Sequence, residues 1–180
     1  MLRPSGRLIL SITLAAAISL APACKRKKTL TVELTDEGTG PLASTVHTAD
    51  PKTAVQLTKG FHAVEQNSWR WTKGQFSVAL QTPPTAPTKG GVLSLKFAIP
   101  EPVIEKLQSI EISAVLNGTP LPPQKFDKAG EHEYTVKVPP KAFSSEVVSV
   151  DFSLSKFLPA GSVDLRELGV VVKTISLESQ

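Results

Sequence analysis

From residue 76 to the C-terminus, apolar and polar residues alternate in short runs, each closed by a break rich in Pro, Gly or Asn. A run with every second residue apolar has one greasy and one wet face, the pattern of a strand covered on one side. Phe76-Ser77-Val78-Ala79-Leu80 is the first such run. In residues 92–99, Leu93, Leu95, Phe97 and Ile99 share a face, and Pro100 and Pro102 follow. Residues 110–116 end at Asn117-Gly118, the commonest tight-hairpin dipeptide. Residues 134–138, 148–154 and 170–177 repeat the theme, and residues 30–34 alternate as well. The count is seven to eight short strands, which predicts one all-β antiparallel sandwich. Only residues 102–108 have helical spacing, through Val103, Ile104 and Leu107. The fifteen prolines are expected between the runs, because a proline inside a sheet removes a ladder hydrogen bond. Residues 35–52 lack apolar periodicity and read as loop or linker.

The N-terminus has a different character. Arg3 and Arg7 precede an apolar run over residues 8–20, and Ala21-Pro22-Ala23 supplies the small residues of a cleavage site. The run is too short for a comfortable membrane-spanning helix, which needs about 20 residues. Residues 1–23 therefore read as a cleaved signal peptide. The single cysteine, Cys24, follows at once, and Leu20-Ala21-Pro22-Ala23-Cys24 resembles the lipobox of bacterial lipoproteins. That resemblance implies a diacylated Cys24 as the mature N-terminus, although Ala21 and Pro22 depart from the usual pattern. Plain Ala-x-Ala cleavage leaving a free thiol is the alternative; an unpaired cysteine in an exported chain favours lipidation. The basic run Lys25-Arg26-Lys27-Lys28 would then face anionic headgroups, each cation adding about 1 kcal/mol. With Lys25 rather than Asp after the cysteine, sorting to the outer membrane is expected in a two-membrane bacterium. Residues 24–52 are read as lipid-anchor stem, first short strand and linker, and residues 53–180 as the sandwich.

Charge changes the picture once. Without Arg3 and Arg7 the chain has 18 basic residues against 16 acidic ones, and without the basic run 14 against 16. A nearly neutral folded part gives no reason to expect nucleic acid as a partner.

Candidate chemistry centres on residues 60–74. Both tryptophans fall here, as Trp69-Arg70-Trp71, with Glu65 upstream. In a strand, Trp69 and Trp71 share one face and Arg70 takes the other. Facing outward, the rings would form a platform for a pyranose and Arg70 would be structural. Facing inward they would join the core, which is where aromatic rings more often lie. The general bias towards the core favours at least one ring being buried. A second cluster is Asp164-Leu165-Arg166-Glu167-Leu168-Gly169. Arg166 is placed to clamp Glu65 bidentately; alternatively Arg166, Glu65 and Asp164 line a pocket for sugar hydroxyls. No catalytic set assembles: His47, His62 and His132 are scattered, and Glu131-His132-Glu133 reads as a solvated strand edge rather than a metal site. Neither a nucleophile elbow nor a phosphate loop is present, so no enzyme, metal or cofactor is expected.

Glu65, Arg70-Trp71-Thr72, the short strands around Asn117-Gly118 and the late Asp164-x-Arg166-x-Leu168-Gly169 together resemble a family of bacterial β-sandwich domains. Those domains are similar to galactose-binding-like and carbohydrate-binding jelly rolls and often accompany cell-surface glycosyltransferases. Relatives tend to carry glycine where this chain has Gln66 and Asn67. The resemblance implies a jelly-roll-like sandwich over residues 60–177. It suggests a lipid-anchored envelope protein whose Glu65, Trp69, Arg70, Trp71, Asp164 and Arg166 meet a glycan. The alternative is an interaction or scaffold module that recruits an envelope protein with no sugar ligand. A third possibility is a hydrolase with Glu65 and Asp164 as its acid pair.

Overall fold

The computed structural model describes residues 42–162 and 164–180. The stretch read as a signal peptide, Cys24, the basic run and the strand expected at residues 30–34 lie outside the described residues. In chain order the strands are β1 (Thr45–His47), β2 (Lys59–Glu65), β3 (Trp69–Gln81), β4 (Gly91–Ile99), β5 (Ile110–Leu116), β6 (Thr119–Phe126), β7 (Gly130–Val138), β8 (Val147–Leu154) and β9 (Val171–Ser179). Two short helices, α1 (Ala86–Lys89) and α2 (Glu101–Leu107), flank β4. The helical spacing at residues 102–108 corresponds to α2.

Every pairing is antiparallel, in the order β6-β5-β8-β3-β9-β4-β7, with β1 added on β9 and β2 on β3. β3 belongs to both halves of this path: Arg70 and Trp71 pair with β9, whereas residues 75–81 pair with β8. The fold is thus an all-β antiparallel sandwich, jelly-roll-like and nearly closed. At its seam the two outermost strands of the path meet through side chains. Tyr134 Oη of β7 donates to the Pro122 carbonyl of β6 at 2.9 Å, and Gln124 Nε2 donates to the Thr135 carbonyl at 2.7 Å. Pro120, Pro122 and Pro123 all lie in β6, which corrects the expectation that prolines fall only between strands. Lacking N–H donors, they confine β6 to an edge, so side chains rather than a backbone ladder bridge the gap. Burial of Tyr134 pushes its phenol up to about 12.

Nine strands are present among the described residues, against the seven to eight expected. β1 lies in the stretch read as linker, and Val46 on it is fully buried in the core. β6 was hidden by its prolines. The inward positions of β4, β5, β7 and β8 form one core around Phe76, Phe97, Phe152 and Tyr134, with Phe76 and Phe152 stacked at 4.9 Å. Asn117 and Gly118 have φ of 45° and 80° and make the tight β5–β6 turn expected of that dipeptide. At the β2–β3 turn Gln66 and Asn67 also have positive φ, 50° and 52°, and Ser68 N closes the turn on the Glu65 carbonyl at 3.0 Å. A left-handed backbone of this kind is one that glycine adopts without steric cost, so the turn holds two side-chain-bearing residues in a conformation that glycine would suit.

Candidate functional site: a tryptophan-floored groove

The site begins where β3 crosses from one half of the sheet to the other. Thr72 is fully buried at that crossing. Its N–H donates to the Val170 carbonyl at 2.9 Å, its Oγ1 accepts from Val170 N at 3.1 Å, and its carbonyl accepts from Gly169 N at 2.7 Å. Gly169 fits because no side chain would: an added Cβ would meet Thr72 Oγ1 and the Lys73 carbonyl at 2.7 Å and Leu154 Cδ1 at 2.6 Å. This lock draws the residue 164–170 segment against β3 and fixes the direction of the two residues before it.

With Thr72 inward, Trp71 and Trp69 face outward on the same side of β3, both half-buried. Trp71 pairs with Val171 of β9, Val171 with Ala98 of β4, and Ala98 with Glu131 of β7, so one row crosses four strands. Val171 is only 7 % exposed yet lies outside the core cluster: the outer patch covers it. Trp69, Trp71, Val171, Ala98 and Pro100 form the apolar floor of a groove of about 260 Å³, and Glu65, Glu131 and Lys173 form its rim. Lys173 Nζ is 2.8 Å from Glu131 Oε1. Neither tryptophan is a core residue, although the inner part of Trp71 packs against the core.

Arg70 points away from the groove. Its Nε donates to the Thr48 carbonyl at 2.6 Å and its Nη1 to the His62 carbonyl at 3.0 Å. These contacts tie β2, β3 and the end of β1 together at the edge of β9. The second cluster reaches the groove only through Glu65. Arg166 Nη1 lies 2.8 Å from Glu65 Oε1, while its Nε and Nη2 hold Asp164 Oδ1 and Oδ2 at 3.1 and 2.9 Å. The bidentate partner is therefore Asp164, not Glu65 as the spacing suggested. Asp164 sits two residues before Arg166, and Oδ1 also accepts the Arg166 backbone N–H at 2.9 Å. That local turn presents both oxygens to the guanidinium and leaves one donor for Glu65. The Arg166 side chain, helped by its backbone amide, holds the Asp164 carboxyl down at about 2, and the same bonds raise the Arg166 guanidinium. Asp164 and Arg166 are not among the groove's lining residues; Asp164 borders a separate depression with Gly161, Ser162 and Leu165.

His62 Nε2 lies 2.7 Å from the Glu167 carbonyl, a contact that requires the ring N–H there, and Glu167 Oε1 accepts from Gly74 N at 2.7 Å. Together with Arg166–Glu65 these bonds pin the 164–170 segment to β2 and β3. Glu65 and Asp164 converge on one guanidinium and clamp it from two sides. Glu131-His132-Glu133 does not converge either: Glu131 meets Lys173 while His132 Nε2 contacts the Lys128 carbonyl at 2.8 Å. Among the described residues no group of three His, Cys, Asp or Glu could hold a metal ion.

Ala98, Pro100, Val171 and Lys173 join the groove from positions far from Trp69 in the chain and were not singled out by sequence reasoning, and Glu131, read as part of a solvated strand edge, joins them on the rim. One signal was available. Val170-Val171-Val172 breaks the alternation with an apolar residue at an outward position, the mark of a second apolar contact on the wet face.

No protein-family model and no curated protein sequence matches the chain. Similar solved structures include a carbohydrate-binding module, CBM36, in complex with calcium and xylotriose, at 8% identity over 74% of this chain and 98% of that one, with a TM-score of 0.41. Another is TmCBM27, a carbohydrate-binding module of specific mannan recognition, at 13% identity over 78% and 98% of the two chains, TM-score 0.47. A CBM4 structure is similar at 12% identity over 76% and 85%, TM-score 0.35. At such identities, and with these TM-scores below 0.5, the likeness concerns architecture and nothing about binding is taken from it.

Proposed function

We propose that this protein is a non-catalytic, glycan-binding lipoprotein of the bacterial cell envelope that holds a sugar ring against Trp69 and Trp71. The observation that carries the reading is the pair of half-exposed tryptophans, side by side on an outward face and continued by Val171, Ala98 and Pro100. A pyranose has an apolar face of C–H groups and an equatorial rim of hydroxyls. An aromatic floor meets the first, and carboxylates at the edge accept from the second. At about 260 Å³ the groove is smaller than the 300–1,000 Å³ typical of sites that enclose a drug-sized ligand, and suits one or two rings of a longer chain laid across it. Glu65 is held as one wall by Arg166, whereas Arg70 and Asp164 support the strands and the loop without reaching the sugar.

Tryptophan emission is the direct test, because both tryptophans of the chain lie in the groove. Titration with a panel of envelope glycans is expected to shift the emission for at least one, and Trp69→Ala is expected to abolish the shift in a folded protein. Indifference to every glycan would remove this reading and turn the search to an envelope protein as partner. The anchor belongs to the same proposal: diacylation of Cys24, with the outer membrane as destination in a two-membrane bacterium. Cys24→Ser is expected to release the protein from the membrane fraction, and retention of that variant would overturn the anchor.

A further inference from the structure

The groove's rim is asymmetric in charge. Among the described residues three charged side chains line it, Glu65, Glu131 and Lys173, and the one cation of these is already engaged: Lys173 Nζ lies 2.8 Å from Glu131 Oε1. The nearby guanidiniums are engaged elsewhere, Arg70 on the Thr48 and His62 carbonyls and Arg166 chiefly on Asp164. Each rim carboxylate meets its cation through Oε1. A carboxylate offers acceptors only, two oxygens with about four lone-pair sites, so each keeps acceptor capacity towards a ligand.

We propose that the groove selects glycans by charge, taking neutral and amine-bearing pyranosides and turning away uronic, sialic and phosphorylated ones. The inference rests on the glycan-binding reading and names the class of sugar that reading admits. A hydroxyl or ammonium group above the tryptophans finds acceptors at Glu65 and Glu131. An ammonium also gains from the indole faces, whose quadrupole attracts a cation. A carboxylate or phosphate in the same place meets two like charges and, among the described residues, no unengaged donor cation on the rim. Accepting it would require Lys173 to leave Glu131, freeing a second anion beside the ligand.

The test uses the full chain in detergent at low ionic strength, with tryptophan emission as the readout. Its probes are trisaccharides in gluco, galacto and manno series, each as the neutral sugar, its 2-amino counterpart and its uronic counterpart. In whichever series binds, the amine-bearing member is expected to bind about two- to fivefold tighter than the neutral one and the uronate weaker by a similar factor, the range of an exposed ion pair. Both differences are expected to shrink in high salt. Glu131→Gln is expected to narrow the amine-to-uronate ratio about two- to fivefold, and Lys173→Ala to widen it, because Glu131 then lacks its partner. A uronate that binds as tightly as its neutral counterpart would overturn the charge selection and leave glycan binding standing. Silence of every probe in all three series would overturn glycan binding and the selection with it.

Discussion

Two outward rows cross the sheet, and β3 supplies a member of each. In one, Trp71 stands beside Val171, Ala98 and Glu131. In the other, Ser77 stands beside Asp151 of β8 and Val115 of β5, and Ser77 Oγ donates to Asp151 Oδ1. The serine row satisfies its polar groups internally, and the residue 54–58 segment lies along it: Gln56 Nε2 bonds the Ala79 carbonyl and Thr58 N the Ser77 carbonyl. The tryptophan row has large rings at half exposure and a groove above them. Both rows obey the same strand alternation. Alternation therefore decides which way a residue faces, while the size and polarity of a whole row decide whether that face becomes a site.

The boundary between the rows is the Thr72–Gly169 lock, and breaking it is expected to have the largest effect. Gly169→Ala forces backbone to move, since its Cβ would meet the Lys73 carbonyl and Thr72 Oγ1 at 2.7 Å. Overpacking of this kind costs about 1–3 kcal/mol, and the upper end is expected because the Lys73 carbonyl is backbone. Chemical denaturation measures it, and a Gly169→Ala protein as stable as the parent would show that the lock does not hold the two halves of β3.

Replacing the rings sharpens the contrast between them. Trp71→Ala removes packing on the core as well as floor, and about 2 kcal/mol is expected, below the 3–5 kcal/mol of a fully buried tryptophan. Trp69→Ala is expected to cost less than about 1 kcal/mol while still removing glycan binding. One outward row further along β8, beside Gln75 and Ser113, Ser153→Ala is expected to stay within about 0.5 kcal/mol and leave binding intact. Equal stability losses at Trp69 and Trp71 would mean that both rings serve the core alike.

The smallest effect is expected from acid. The Asp164 carboxyl is depressed from 3.8 to about 2 by its bonds to Arg166, so its contribution is fully present above about pH 4 and is lost as pH falls through about 2. The stability difference between the wild type and Asp164→Asn is expected to close across that window. A difference that persists unchanged down to pH 2 would mean that folding does not lower the carboxyl and that the clamp acts through something other than its charge. Its size is small because the Arg166 and Asp164 side chains are 38% and 33% exposed and water screens the pair.

Much of the fold was legible because strand alternation, turn dipeptides and helical spacing are local. Leu93, Leu95, Phe97 and Ile99 had to face one way, Asn117-Gly118 had to turn, and Trp69 and Trp71 had to share a face. β1 and β6 were not legible: three residues carry too little period, and prolines mask an edge strand.

The sequence alone determined that Trp69 and Trp71 would act together and that Arg70 would oppose them, because a strand's side chains alternate with a period of two. Tertiary structure decided which side was outside. The choice depended on Thr72 being held inward by Val170 and Gly169, nearly a hundred residues later. It also decided that Arg166 grips Asp164 with two bonds and Glu65 with one, and that Val171, Ala98, Glu131 and Lys173 complete the groove. Cross-strand register sets those contacts, and register is a property of paired strands that no single run of residues carries.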